Sequence, residues 1–104
     1  MDLDKLNKLK RELSELRRSP QKPRTLERIA ARLGRKEVKR GKEHVWESTE
    51  FKIHPLSIPH HGGKDLSPGT QRNIINFLES YDIAAWEERL NSEDEQDTEN
   101  EGKY

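Results

Sequence analysis

The sequence predicts a small α+β domain in the order helix, helix, three strands, helix. Three observations carry this. Leu3, Leu6, Leu9, Leu13 and Leu16 recur every three or four residues, and so do Leu26, Ile29, Ala30 and Leu33. Between Glu37 and Ile58 that period gives way to short alternating runs, broken at Gly41-Lys42 and Pro55. Ser67-Pro68 then restarts a helical period through Ile74, Ile75, Leu78 and Tyr81.

The first helix has a narrow apolar stripe, with Asp2 and Asp4 at its positive end and Arg17 and Arg18 at its negative end, as the helix dipole favours. The stripe serves either to pack the helix on the domain or to form a partner-binding seam. Two heptads are too few for a free-standing coiled coil. Pro20 and Pro23 bracket a linker. Thr25 is the expected N-cap of the second helix and Gly34 its stop. Arg24, Arg28, Arg32 and Arg35 are expected on that helix's solvent side.

Glu37 to Arg40 reads as a strand, Gly41-Lys42 as a hairpin turn, and Glu43 to Ser48 as the return strand. Val45 falls on one face of that strand, and His44 and Trp46 on the other. Phe51 and Ile53, then Leu56 and Ile58, define a third strand with Pro55 at an edge. Ser67 as N-cap with Pro68 at the first helical position opens the last helix. Ile83, Ala84, Trp86 and Leu90 extend it so that Trp86 packs back. No apolar residue occurs from Asn91 until Tyr104, which predicts a disordered tail. The expected organisation is thus an N-terminal amphipathic helix over 1–19, a linker over 20–24, an αβββα domain with its helices on one face of the sheet over 25–90, and an acidic tail over 91–104. The αβββα order is the layout of double-stranded-RNA-binding domains.

The 104 residues allow one small domain and its tails, and with 29% hydrophobic and 38% charged residues the core must be compact. Formal charge is zero but unevenly spread: residues 17–42 hold eleven Lys/Arg against Glu27 and Glu37, and residues 87–104 hold eight Asp/Glu against Arg89 and Lys103. The basic half suggests a polyanionic partner. The absence of cysteine excludes disulfides, thiolate nucleophiles and Cys-based metal sites. No stretch is apolar enough for a signal peptide or a membrane span, so a cytoplasmic protein is expected. There is no Gly-x-Ser-x-Gly element, phosphate loop or dinucleotide fingerprint.

Ile58-Pro59-His60-His61-Gly62-Gly63-Lys64-Asp65-Leu66, followed by Pro68-Gly69-Thr70 and the apolar helix, resembles the C-terminal half of HicA toxins. The resemblance covers about residues 25–83 and implies a dsRBD-like fold. It also implies metal-independent mRNA endoribonuclease activity without a cofactor, and a HicB-like antitoxin as protein partner beside mRNA. The family carries Gly-Ser-His-His or Gly-Ser-Asn-His at the start of the second strand, and its last histidine is catalytic. Here the slot reads Gly41-Lys42-Glu43-His44, so the glycine and final histidine match and the middle two residues do not.

Cleaving RNA without a metal requires a proton to leave the 2′-OH, another to reach the 5′-oxygen, and stabilisation of the added negative charge. Histidine suits proton transfer because its unperturbed pKa is about 6.5. His44, on a strand just past a turn with Lys39, Arg40 and Lys42 nearby, is the catalytic candidate. Lys39, Arg40, Lys42, Lys64 and His61 are the RNA-binding candidates, Lys64 lying in the loop ahead of a helix N-terminus. Trp46 serves either as core or as a base-stacking platform. Adjacent His60 and His61 point apart on an extended chain, so no metal pair is expected, and His60 and His54 read as surface residues. The tail's carboxylates, from Glu93 to Glu101, serve either to solubilise the chain or to mimic RNA over the basic face. Two alternatives stand beside the nuclease: a non-catalytic RNA-binding module of the same fold, and a protein-interaction module using the N-terminal helix.

Overall fold

The computed structural model describes residues 1–60 and 62–92. The predicted RNA contact at His61 and all but the first two residues of the predicted tail lie outside them.

Helix α1, Leu3–Leu16, starts at Asp2, whose carboxylate accepts from Lys5 N at 2.8 Å. Its stripe is core: Leu6, Leu9 and Leu13 are fully buried against the rest of the domain. At the typical 1.5–3 kcal/mol for burying a leucine side chain, this seam contributes strongly to stability. Glu12 pairs with Arg32 at 2.7 Å, and Arg17 bonds Asn76 and Glu79, fixing the helix from both sides.

Helix α2 is Pro23–Arg32 and begins two residues before the expected Thr25 cap. Pro23 takes the first helical position, where its missing N–H is not needed and its fixed φ suits the turn, and Lys22 caps without a side-chain bond. Gly34 ends the helix at φ +100°; a Cβ there would lie 2.9 Å from Glu50 Cγ. The expected solvent face of four arginines divides: Arg24 and Arg28 are exposed, Arg32 is paired, and Arg35 is buried.

The sheet is antiparallel in the order β1 (Arg35–Arg40), β2 (Glu43–Ser48), β3 (Leu56–Ser57). Gly41 at φ +65° followed by Lys42 at negative φ gives the sign pattern of a type II′ turn, which needs glycine first. The register pairs Lys39 with His44, Glu37 with Trp46 and Trp46 with Leu56. By strand alternation, Arg35, Glu37, Lys39, His44 and Trp46 share the helix-covered face with Leu56, while Val38, Arg40 and Val45 face the other way. The third strand is far shorter than the predicted Phe51–Ile58 alternation. Pro55 has no N–H to donate and restricts His54, Ser48 Oγ accepts from Glu50 N and Phe51 N to turn the chain, and Phe51 packs edge-on to Trp86.

Helix α3, Pro68–Phe77, is capped by Ser67 as expected. It passes into a π-helical turn, Leu78–Ile83, and an α-helix over 84–92. The wide turn changes the register, so Tyr81 is exposed where the 3.6 period predicted burial, and Asp82 is buried. Trp86 does pack back, and its Nε1 donates to Leu33 O at 2.8 Å. No helix among the described residues is long and apolar enough to cross a membrane.

Candidate active site

The helix-covered face of the sheet opens at its hairpin end, and there the histidines meet. His44 stands on β2 opposite Lys39. Ile58 N donates to His44 O at 3.2 Å, so the chain leaving β3 runs alongside His44 and carries Pro59 and His60 past it. The two imidazole centroids are 4.1 Å apart, with planes tilted by 32°.

Each ring has its own carboxylate. Nδ1 of His44 lies 3.5 Å from Oε1 of Glu37, the diagonal neighbour on β1. Nε2 of His60 lies 2.7 Å from Oε1 of Glu27, which α2 supplies from beneath and whose side chain is only 13% exposed. Both are close contacts outside hydrogen-bond geometry. Oε1 of Glu27, Nδ1 of His44 and Nε1 of the neighbouring Trp46 are therefore buried polar atoms without a hydrogen-bond partner among the described residues.

Lys42, His44, Ser57 and His60 line an open cavity of about 430 Å³. A larger cleft of about 580 Å³ lies between Arg17, Arg18, Leu66 and Arg72, and its lining has no imidazole. Among the described residues no group of three or more His, Asp or Glu side chains is placed to hold a metal ion.

Of the residues singled out in the sequence, Lys39, Lys42 and His44 come together. Arg40 sits at the hairpin rim on the opposite face, tied to Glu47. Lys64 is exposed in the loop before α3, whose backbone is held by Lys22 Nζ donating to Gly63 O at 2.6 Å. His54 is on the surface, stacked edge-on against Tyr81. Trp46 is half-buried against the core. His60, read from sequence as a surface residue, is part of the site through its stacking on His44, and Glu27 and Glu37 were not singled out at all.

A helix-covered three-stranded sheet, with His44 and His60 in contact at a lysine-bearing hairpin, defines a small α+β domain with an open histidine-lined cavity. Residues 23–79, more than half of the chain, match the family model of the HicA toxin of bacterial toxin–antitoxin systems, and the chain belongs to that family. It is thus the toxin component of a toxin–antitoxin pair, whose other member in this family is a HicB-type antitoxin. The match begins where α2 begins and leaves out α1, Asp82 and Trp86. No curated protein and no solved structure gave a significant match.

Proposed function

We propose that this toxin is a metal-independent endoribonuclease acting on mRNA, with His44 as a general acid/base. The observation that carries the reading is the position of His44: one-third exposed in a cavity beside Lys42, with Nδ1 turned to Glu37 and away from solvent. A carboxylate behind one ring nitrogen fixes the imidazole and leaves Nε2 for the substrate, as in other carboxylate–histidine pairs. Lys39 and Lys42, nearest the ring, neutralise the phosphate under attack. Arg40 and Lys64 extend the positive field along the RNA backbone, and His61 adds a further RNA contact. The antitoxin silences the enzyme by covering this basic hairpin.

Purified protein is expected to cleave mRNA in the presence of EDTA. His44→Ala is expected to lose roughly 10²–10⁴ in rate, the usual contribution of one placed acid/base, with unchanged thermal unfolding. Unaltered cleavage by that variant overturns the assignment. Salt-sensitive RNA binding with no cleavage by the wild-type protein would instead mark a binding module.

A further inference from the structure

We propose that His60, held by Glu27, is the second proton-transfer residue of the cavity: the general acid that protonates the departing 5′-oxygen while His44 takes the 2′-OH proton. This rests on the reading of the chain as an endoribonuclease and goes further by assigning both protons.

Three observations lead to it. The rings of His44 and His60 lie 4.1 Å apart, the scale of the span between the entering and leaving oxygens on one phosphorus. The carboxylates leave complementary atoms free: Glu37 takes Nδ1 of His44, and Glu27 takes Nε2 of His60, so Nε2 of the first ring and Nδ1 of the second are left for substrate. The contact to Glu27 is much the shorter and its carboxylate the more buried, so His60 is the more closely backed of the two rings. Among the described residues, Glu27 from α2 and His44 from β2 contact His60, and Lys42 and Glu43 from the hairpin line the cavity with it.

The step balances. His44 removes the 2′-OH proton as the 2′-oxygen bonds to phosphorus. The bond from phosphorus to the 5′-oxygen breaks, and that oxygen takes the proton of His60. The products are a 2′,3′-cyclic phosphate and a 5′-hydroxyl, with no oxidant, reductant or metal. Exchange with water restores the starting protonation.

The test compares an RNA oligonucleotide containing a link that the wild-type chain cleaves with the same oligonucleotide carrying sulfur in place of the bridging 5′-oxygen. A thiolate leaves without protonation, so the acid becomes dispensable. His60→Ala is expected to lose roughly 10²–10⁴ on the oxygen substrate and to come within about tenfold of wild type on the sulfur one, while His44→Ala stays slow on both. Glu27→Gln is expected to lose less and to show the same relief by sulfur, as a positioning residue should. Should His60→Ala not fold, as judged by thermal unfolding, His60→Gln serves in its place. Wild-type rates on the oxygen substrate in the His60 variant overturn this assignment alone, and so does equal slowing on both substrates. No cleavage of either substrate by wild type overturns this assignment and the nuclease reading together.

Discussion

Arg35 and Asp82 form a two-pronged ion pair inside the domain, with Nε to Oδ2 at 2.7 Å and Nη2 to Oδ1 at 2.8 Å, and both side chains are essentially inaccessible. The third arm of the guanidinium, Nη1, donates to Trp46 O and His54 O at 2.8 and 3.0 Å. One arginine thus joins β1, β2, the approach to β3 and the π-helical turn. It bonds two backbone carbonyls, one on β2 and one just ahead of β3. The hairpin that carries His44 is braced from behind by this cluster.

Removing one member of such a pair strands the other charge. Asp82→Ala is therefore expected to destabilise the fold by about 3–5 kcal/mol, measured by urea unfolding. Replacing both residues with apolar ones, Arg35→Met with Asp82→Leu, is expected to cost less than Asp82→Ala alone, because no buried charge remains. A double variant at least as unstable as the single one would show that the bonds to Trp46 O and His54 O dominate.

The same pair gives a pH signature. Burial pushes the Asp82 carboxyl above its ordinary value of 3.8, although the Arg35 hydrogen bond and charge pull the other way. A raised folded-state pKa means that the folded chain binds the proton where the unfolded chain has lost it. Stability from this group is then fully present below the unfolded value and declines as pH rises through the folded one. The stability advantage of wild type over Asp82→Asn is expected to shrink as pH rises from below 3.8 and to level off above the folded value. An advantage that grows across that window would mean that Arg35 outweighs burial.

Gln71 ties α1 to α3. Its Oε1 accepts from Gln21 N at 2.8 Å, and its Nε2 donates to Leu16 O and Ser19 O, both at 2.9 Å. Gln71→Ala leaves these backbone groups without their partner, at about 1–3 kcal/mol for a buried unsatisfied group. Faster tryptic cleavage after Arg17 and Arg18 is the expected readout. Leu9→Ala is expected to cost about 2–5 kcal/mol by opening a cavity in the same region. Deleting residues 1–19 is expected to give an unfolded product, in contrast to a detachable partner-binding helix; a deletion variant with wild-type thermal unfolding would contradict this.

The α+β order, the hairpin turn and the Ser67 cap were legible because each rests on local chemistry: helical period, glycine at a positive φ, a side-chain cap on a free N–H. The buried Arg35 was not, because it depends on Asp82, and a π-helical turn has no period that sequence displays; nor was the shortened third strand, because Ser48 turns the chain and Phe51 packs on Trp86 only in the folded domain. The site divides in the same way. The placement of His44 beside the hairpin was legible from the turn, and its candidacy came from the family resemblance. Its neighbour Glu37 was in principle legible too, since a two-residue turn at Gly41-Lys42 fixes the ladder and sets Glu37 diagonal to His44. His60 and Glu27 were not, because their approach joins α2 to the chain beyond β3, and only tertiary packing brings those two together.

Lys42 tests the electrostatic part of the proposal apart from the chemistry. It is exposed at the turn and lines the cavity with both histidines. A lysine that neutralises one phosphate of single-stranded RNA contributes about 0.7 to the slope of log affinity against log salt. In a His44→Ala background, where the RNA stays intact, adding Lys42→Ala is expected to weaken binding to all sequences alike and to reduce that slope by about 0.7, read by fluorescence anisotropy over a salt series. Arg40→Ala in the same background is expected to change the slope less, because Glu47 already balances that guanidinium on the reverse face. Equal effects of the two substitutions would mean that RNA wraps the hairpin tip and does not enter the histidine cavity preferentially.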